Sequence, residues 1–191
     1  MEKEKTDTEL LQLVFGVQVE IDNLRAFSLK SLPELQKIKG IGATKAEKIQ
    51  AVFEIARRFS RVELKPGQVL SRSQQVFAHY HYNLRDEKRE KFYAVLLDTK
   101  NRVIREELVS IGTLNFSLVH PREIFAPAIK ESAASVILVH NHPSGDPAPS
   151  REDIQITTRL SEVGRIVGIE IIDHIIIGDG CYISFNEQKL M

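Results

Sequence analysis

The residues His140, Asn141 and His142, followed by Ser150 and Asp153, have the types and spacing of a metal site. Two histidines separated by one residue at a strand end project to the same side, because side chains alternate with period two, and Asn141 then projects to the other. Both imidazoles can reach one ion at about 2.0–2.1 Å. Pro143, Gly145, Pro147 and Pro149 bend the chain back, and Ser150 opens a helix whose first turn carries Asp153. Two imidazoles, one carboxylate and an open fourth position form the donor set of a hydrolytic zinc centre. Such a centre makes hydroxide available near neutral pH, and the reaction needs a separate base to handle the proton. A plainer account competes: Ser150 and Asp153 alone form an S-x-x-D capping box, and either histidine alone could be an ordinary polar residue. The complete spacing, H-x-H-x7-S-x2-D, is much rarer than its parts. Asp153 can also cap and ligate at once.

Other chemistries lack their residues. None of the six histidines is followed by glutamate, so there is no H-E-x-x-H helix. The single cysteine, Cys181, excludes a cysteine-based zinc cluster, an intrachain disulfide and the P-C-x-x-C half of a deaminase site. It reads as a packing residue. Neither a P-loop nor a G-x-S-x-G elbow occurs. Asp173-His174 could back the ligands, but the following run Ile175-Ile176-Ile177 favours a structural part in a strand.

The elements around these residues alternate in kind. Ser71 or Ser73 is expected to cap a helix running to Asn83. Strands are expected over Phe92–Leu97 and Val103–Ile111, joined by a turn at Asp98–Asn101. A helix follows over Pro121–Ser132, then a buried strand at Val136–His140. After the loop Pro143–Pro149 comes a helix from Ser150 to Gly164. Strands over Ile169–Ile177 and Cys181–Phe185 flank the turn Gly178-Asp179-Gly180. Strands interleaved with helices predict an α/β domain with a mixed sheet covered by helices.

In front of it, the segment from Thr6 to about Arg61 reads as helical throughout. Ser31 precedes Leu32-Pro33 with Glu34 three positions on, a helix start. Gly40-Ile41-Gly42 breaks the chain, and Ala46, Ile49, Val52, Phe53 and Ala56 then recur at helical spacing. The Pro-Gly pair at Pro66-Gly67 marks a boundary, giving a small all-α domain over 1–64 and a second domain over 69–191. The net charge is zero. Yet Lys30, Lys37, Lys39, Lys45, Lys48, Arg57, Arg58 and Arg61 face only Glu34, Glu47 and Glu54 in that front segment. Such a patch can attract a polyanion, and equally can be the solvated face of two helices. A composition of 42% hydrophobic and 27% charged residues is ordinary for a globular chain, and no apolar run approaches the roughly 20 residues of a membrane span. The charged start MEKEKTDTE lacks a signal-peptide core, so the expected compartment is the cytoplasm.

The metal-site spacing is the JAMM signature, and its form here, HNHPSGDPAPSREDI, resembles the bacterial RadC-like proteins of the JAMM (MPN) class. The resemblance runs from about Val69 through Met191 and includes GTLNFSLVHPREIFAPAIKESAASVILVHNHPSG and DHIIIG. It implies an α/β/α sandwich similar to the cytidine-deaminase fold, with His140, His142 and Asp153 as zinc ligands. Ser150 matches a serine that helps hold the oxyanion of a tetrahedral intermediate. The resemblance also implies an upstream glutamate before the first strand. Glu90 fits that position, Glu87 is the near alternative, and Glu106 and Glu107 fit less well. The pattern Leu35-x-x-Ile38-x-Gly40-Ile41-Gly42-x-x-x-Ala46-x-x-Ile49 resembles a helix-hairpin-helix motif, which implies non-specific contact with a DNA backbone.

Three functions follow as expectations. The first is a zinc-dependent hydrolase of the metallopeptidase type, cutting an amide or isopeptide bond in an unknown protein or peptide. The second is a DNA-associated repair accessory protein whose metal domain is a non-catalytic platform. The third, a phosphodiesterase acting on DNA, would more naturally use two metals and further carboxylates.

Overall fold

A computed structural model describes residues 5–60, 62–112 and 119–191. Arg61 of the basic segment and residues 113–118 of the GTLNFSL stretch lie outside the described residues. The chain divides into two compact units, one reaching to Ser60 and the other following it.

The first unit contains helices α1 (Asp7–Phe15), α2 (Leu24–Ser28), α3 (Leu32–Gln36) and α4 (Ala43–Ser60). Leu11, Phe27, Leu35, Ile41, Ala46 and Ile49 form its core, with Val17 and Val19. The expectation of continuous helix fails between α1 and α2. There the chain forms no helix, with Val17 and Val19 buried and Gln18 and Glu20 exposed. Valines alternating with polar residues carry a period of two, and their branched Cβ atoms resist helix. Gly16, at φ 61°, ends α1 just before them.

The second unit contains α5 (Ser73–Leu84), β1 (Glu90–Leu97), β2 (Val103–Gly112), α6 (Pro121–Lys130), β3 (Ser135–Asn141), α7 (Arg151–Val167), β4 (Glu170–Ile177) and β5 (Tyr182–Ser184). The strands form one mixed sheet in the order β2-β1-β3-β4-β5. Only β3 and β4 run parallel, and α7 makes the crossover between them. Phe92, Ala94, Leu96, Val136 and Leu138 pack with Ile124 and Phe125 of α6 and Ile156 and Leu160 of α7. On the opposite face Val95, Leu97, Ile137, Val139 and Ile175 pack with Val76, Tyr80 and Leu84 of α5. Helices thus cover both faces, an α/β/α arrangement. All seven residues of β3 are buried, as its apolar run requires. Among the described residues, no helix is long and apolar enough to cross a membrane.

Three local expectations change. Neither Ser71 nor Ser73 caps α5, because Arg72 holds the N-cap position; the Gln75 Oε1 accepts the Ser71 and Arg72 backbone N–H groups at 2.9 and 3.1 Å. Cys181 is exposed and precedes the three-residue β5, since the Gly178–Gly180 turn turns its side chain out of the core. Finally, β4 is not regular. Val136 pairs with Ile171 but Ile137 pairs with Asp173, so one extra residue is inserted at Ile172. Such a bulge reverses which residues face which side from there on.

Candidate metal centre

His140 closes the run of ladder pairs between β1 and β3, opposite Phe92, and its ring stacks on that phenylalanine with centroids 5.8 Å apart. The His142 backbone N–H donates to the Ile177 carbonyl at 3.0 Å, which carries the end of β3 along β4. The loop then folds back. The Gly145 N–H donates to the His142 carbonyl at 3.0 Å, and His142 Nδ1 lies 2.7 Å from the Asp146 carbonyl. Ser150 is the N-cap of α7 and Asp153 sits on its first turn, as the capping-box spacing demands.

These elements bring His140, His142 and Asp153 together. Their ligating atoms all lie within 4.8 Å of one another. His140 Nε2 is 3.0 Å from His142 Nε2 and 3.2 Å from Asp153 Oδ1, and His142 Nε2 is 3.4 Å from Asp153 Oδ2. Donors about 2.0–2.1 Å from a tetrahedral ion stand about 3.3–3.4 Å apart, and each of these separations is close to that value, with the two histidines approaching different oxygens of Asp153. Asp153 Oδ1 is buried, and among the described residues its imidazole neighbour is His140 Nε2 at 3.2 Å. A buried carboxylate whose two oxygens face two imidazole nitrogens favours a cation between them.

The electrostatics point the same way. Burial pushes the Asp153 carboxyl up, but its contacts with His140, His142 and Ser150 outweigh this and hold it far below the usual carboxylate range. Burial dominates at His140 and lowers its pKa, although Asp153 opposes it. Burial acts downward on His142 too, but Asp153 and the Asp146 carbonyl reverse it and leave the pKa raised. A positive charge, proton or metal ion, is therefore retained beside the carboxylate.

Ser150 forms both halves of the capping box. Its hydroxyl and its N–H donate to Asp153 Oδ2 at 2.6 and 2.7 Å, and the Asp153 N–H donates back to the hydroxyl oxygen at 3.1 Å. Glu90 opens β1 two residues before Phe92, so alternation points both to the face that carries His140. Its charge acts on both His140 and His142. The other glutamates are engaged elsewhere. Glu87 pairs with Lys91, Glu107 with Arg105, and Glu106 accepts from the Tyr80 hydroxyl at 2.6 Å. Glu106 also lies opposite Val95, which pairs with Ile137, three residues along β3 from His140. That is about 10 Å at the rise of a strand.

Asn141 and Thr157 near the centre escape a reading by motif, and His174 backs a ligand position as the Asp173-His174 alternative allows. Asn141, buried on the other side of β3, accepts the Lys91 N–H at 2.8 Å and donates to the Arg89 carbonyl at 3.2 Å, bracketing Glu90. His174 Nε2 lies 2.8 Å from His140 Nδ1, and Thr157 Oγ1 lies 2.6 Å from His174 Nδ1. Thr157 stands four residues after Asp153 on the same helix face, a signal available in the sequence. Asp173 and His174 do not act as a pair. Asp173 points to the α5 face and accepts from the hydroxyls of Ser73 at 2.8 Å and Ser184 at 2.7 Å, whereas His174 points to His140.

The comparisons agree with this architecture. Residues 70–190 match the family model described as RadC-like JAB domain. A "UPF0758 protein" of Syntrophotalea carbinolica is 55% identical over 172 residues, 90% of this chain and 76% of that protein. One from Methanosarcina mazei is 51% identical over 166 residues, covering 87% of this chain and 72% of its own. Another, from Geotalea uraniireducens, is 42% identical over 205 residues, covering 99% and 90%. With the matched residues spanning the whole sheet and both ends of the histidine–aspartate cluster, the chain belongs to the RadC-like JAB domain family.

Proposed function

We propose that His140, His142 and Asp153 hold one zinc ion and that the chain hydrolyses an amide bond, a peptide or isopeptide link in a protein substrate. The spacing of the three ligating atoms, all within 4.8 Å, carries this reading. A donor set of two imidazoles and one carboxylate suits zinc and leaves room for solvent or substrate. Bound there, zinc supplies Lewis acidity that makes hydroxide available near neutral pH and polarises a carbonyl. Glu90 takes the proton of the attacking water and returns it to the leaving nitrogen. Ser150 donates to the oxygen on which charge develops. Its single proton is shared with Asp153 Oδ2, so that donation requires the capping bond to open.

Elemental analysis of the purified full chain tests the assignment. About one zinc per chain is expected, lost in His142→Ala and kept in Glu90→Gln, which should hold substrate without cleaving it. Wild type and His142→Ala equally free of metal would remove the proposal.

A second reading attaches to the first unit, where a specific turn favours nucleic-acid contact. Gly40, at φ 89°, turns the chain between α3 and α4, and the exposed Gly42 precedes the α4 N-terminus. Lys39 precedes the turn and Lys45 and Lys48 follow it on α4, the first and last exposed and Lys45 half-buried. This arrangement suits a DNA phosphate. Salt-sensitive DNA binding weakened by Lys45→Glu is expected, and binding indifferent to that change would count against it.

A further inference from the structure

The bulge in β4 has a consequence for the ligand His140. With a regular strand, His174 would face α5; the inserted Ile172 turns it to the α6–α7 face, where it pairs in register with Leu138. There its ring lies between Phe92 and Phe185, with centroids 5.5 and 4.9 Å away, and is fully buried. The ring nitrogens have two neighbours. Nε2 meets His140 Nδ1 at 2.8 Å and Nδ1 meets Thr157 Oγ1 at 2.6 Å. Among the described residues no carboxylate hydrogen-bonds the ring, which is enclosed by the two phenylalanines and carries a single ring proton between these two neighbours.

A threonine hydroxyl also has one proton, and Thr157 donates it to the Asp153 carbonyl one turn back, at 2.6 Å. Its oxygen must then accept, so the His174 proton is on Nδ1. His174 Nε2 is left as an acceptor, and the proton it receives is that of His140 Nδ1. The remaining nitrogen, His140 Nε2, keeps its lone pair and faces Asp153 and His142. If the hydroxyl pointed to His174 instead, every proton in the chain would reverse. His140 would then carry hydrogen on Nε2 and could not ligate.

We propose that Thr157 and the bulge-aimed His174 are positioning residues that lock His140 in the tautomer whose Nε2 lone pair points at the metal position. This rests on the zinc reading above and goes beyond it, since neither residue touches the ion. A ligand's outer partner of this kind is generally worth 10- to 100-fold in metal affinity.

The test uses the full chain. Thr157→Val keeps shape and removes the acceptor, Thr157→Ser restores the hydroxyl, and His174→Phe keeps a ring among Phe92 and Phe185. Zinc affinity is read by competition with a chromophoric chelator, and the His140 tautomer by 15N NMR of the metal-free chain. Thr157→Val and His174→Phe should bind zinc about 10- to 100-fold more weakly, and Thr157→Ser should bind near wild-type strength. Wild-type His140 should carry its proton on Nδ1, and a fraction of it should move to Nε2 in Thr157→Val. Undiminished zinc affinity in both weakening variants, or a wild-type proton on Nε2, would overturn the proposal. The wild-type tautomer decides even where a variant does not fold. Failure of the wild type to take up zinc would instead strike the metal assignment, and the metal-free tautomer still judges the relay separately.

Discussion

The loop that carries His142 is held against the turn between β4 and β5, and Gly178→Ala probes that contact. A Cβ on residue 178 would stand 2.4 Å from the Gly145 carbonyl oxygen, 2.8 Å from Pro147 Cδ and 3.1 Å from Cys181 Sγ. Real Cβ atoms essentially never approach closer than 3.0 Å, and the first of these neighbours is backbone. The loop must therefore retreat by about 0.6 Å or more from its present seat. Moving away strains the hydrogen bond from the Asp179 N–H to the Gly145 carbonyl, 2.8 Å at present, and the two bonds between His142 and residues 145 and 146. Overpacking of this size costs about 1–3 kcal/mol, or about 2–12 °C in Tm for a chain of this length. Metal sites tolerate only about 0.2 Å of ligand displacement, so zinc affinity should fall about 10- to 100-fold as well. Thermal unfolding of the metal-free chain and chelator competition measure the two effects separately. Unchanged Tm together with unchanged affinity would refute the claim that this turn seats His142.

Zinc affinity should fall as pH drops below the raised His142 pKa, because that proton must leave before the nitrogen can ligate, whereas His140, lowered by burial, sheds its own proton earlier. Chelator competition across neutral and mildly acidic pH checks this, and a flat profile would contradict it. Asn141→Leu leaves the Lys91 N–H and the Arg89 carbonyl without their side-chain partner, so stability should fall by about 1–3 kcal/mol in denaturant melts. Wild-type stability would show the bracket around Glu90 to be idle. Asp173→Asn gives up a carboxylate held by two hydroxyls and the His174 and Asn186 N–H groups, and should cost about 1.5–3 kcal/mol. A neutral outcome would remove its part in fixing the bulged strand.

Much of the centre was legible in the sequence because its parts are local. The H-x-H pair and the S-x-x-D start of α7 lie within fourteen consecutive residues, His140 to Asp153, and period two and the capping box fix their directions. The two-faced sheet was legible for the same reason, since alternation in β1 and the apolar run of β3 report burial directly. What stayed hidden depends on pairing across the fold. Asp173 and His174 are neighbours in sequence, and only the register shift at Ile172 shows that the second of them backs His140. The period-two stretch of Val17 and Val19 is too short to stand out between helices, and nothing local in the sequence shows that Arg72 holds the N-cap position while Gln75 accepts the Ser71 and Arg72 N–H groups. Glu90 lies between these cases: its strand could be read, but its approach to the histidines needs the β1–β3 pairing.

X-ray absorption at the zinc edge, measured on the full chain loaded with one equivalent of zinc, addresses the central claim most directly. Two imidazole nitrogens at about 2.0–2.1 Å with light oxygen donors completing the shell are expected, and one nitrogen should vanish in His142→Ala. A shell without imidazole, or one that survives that substitution intact, would contradict the account.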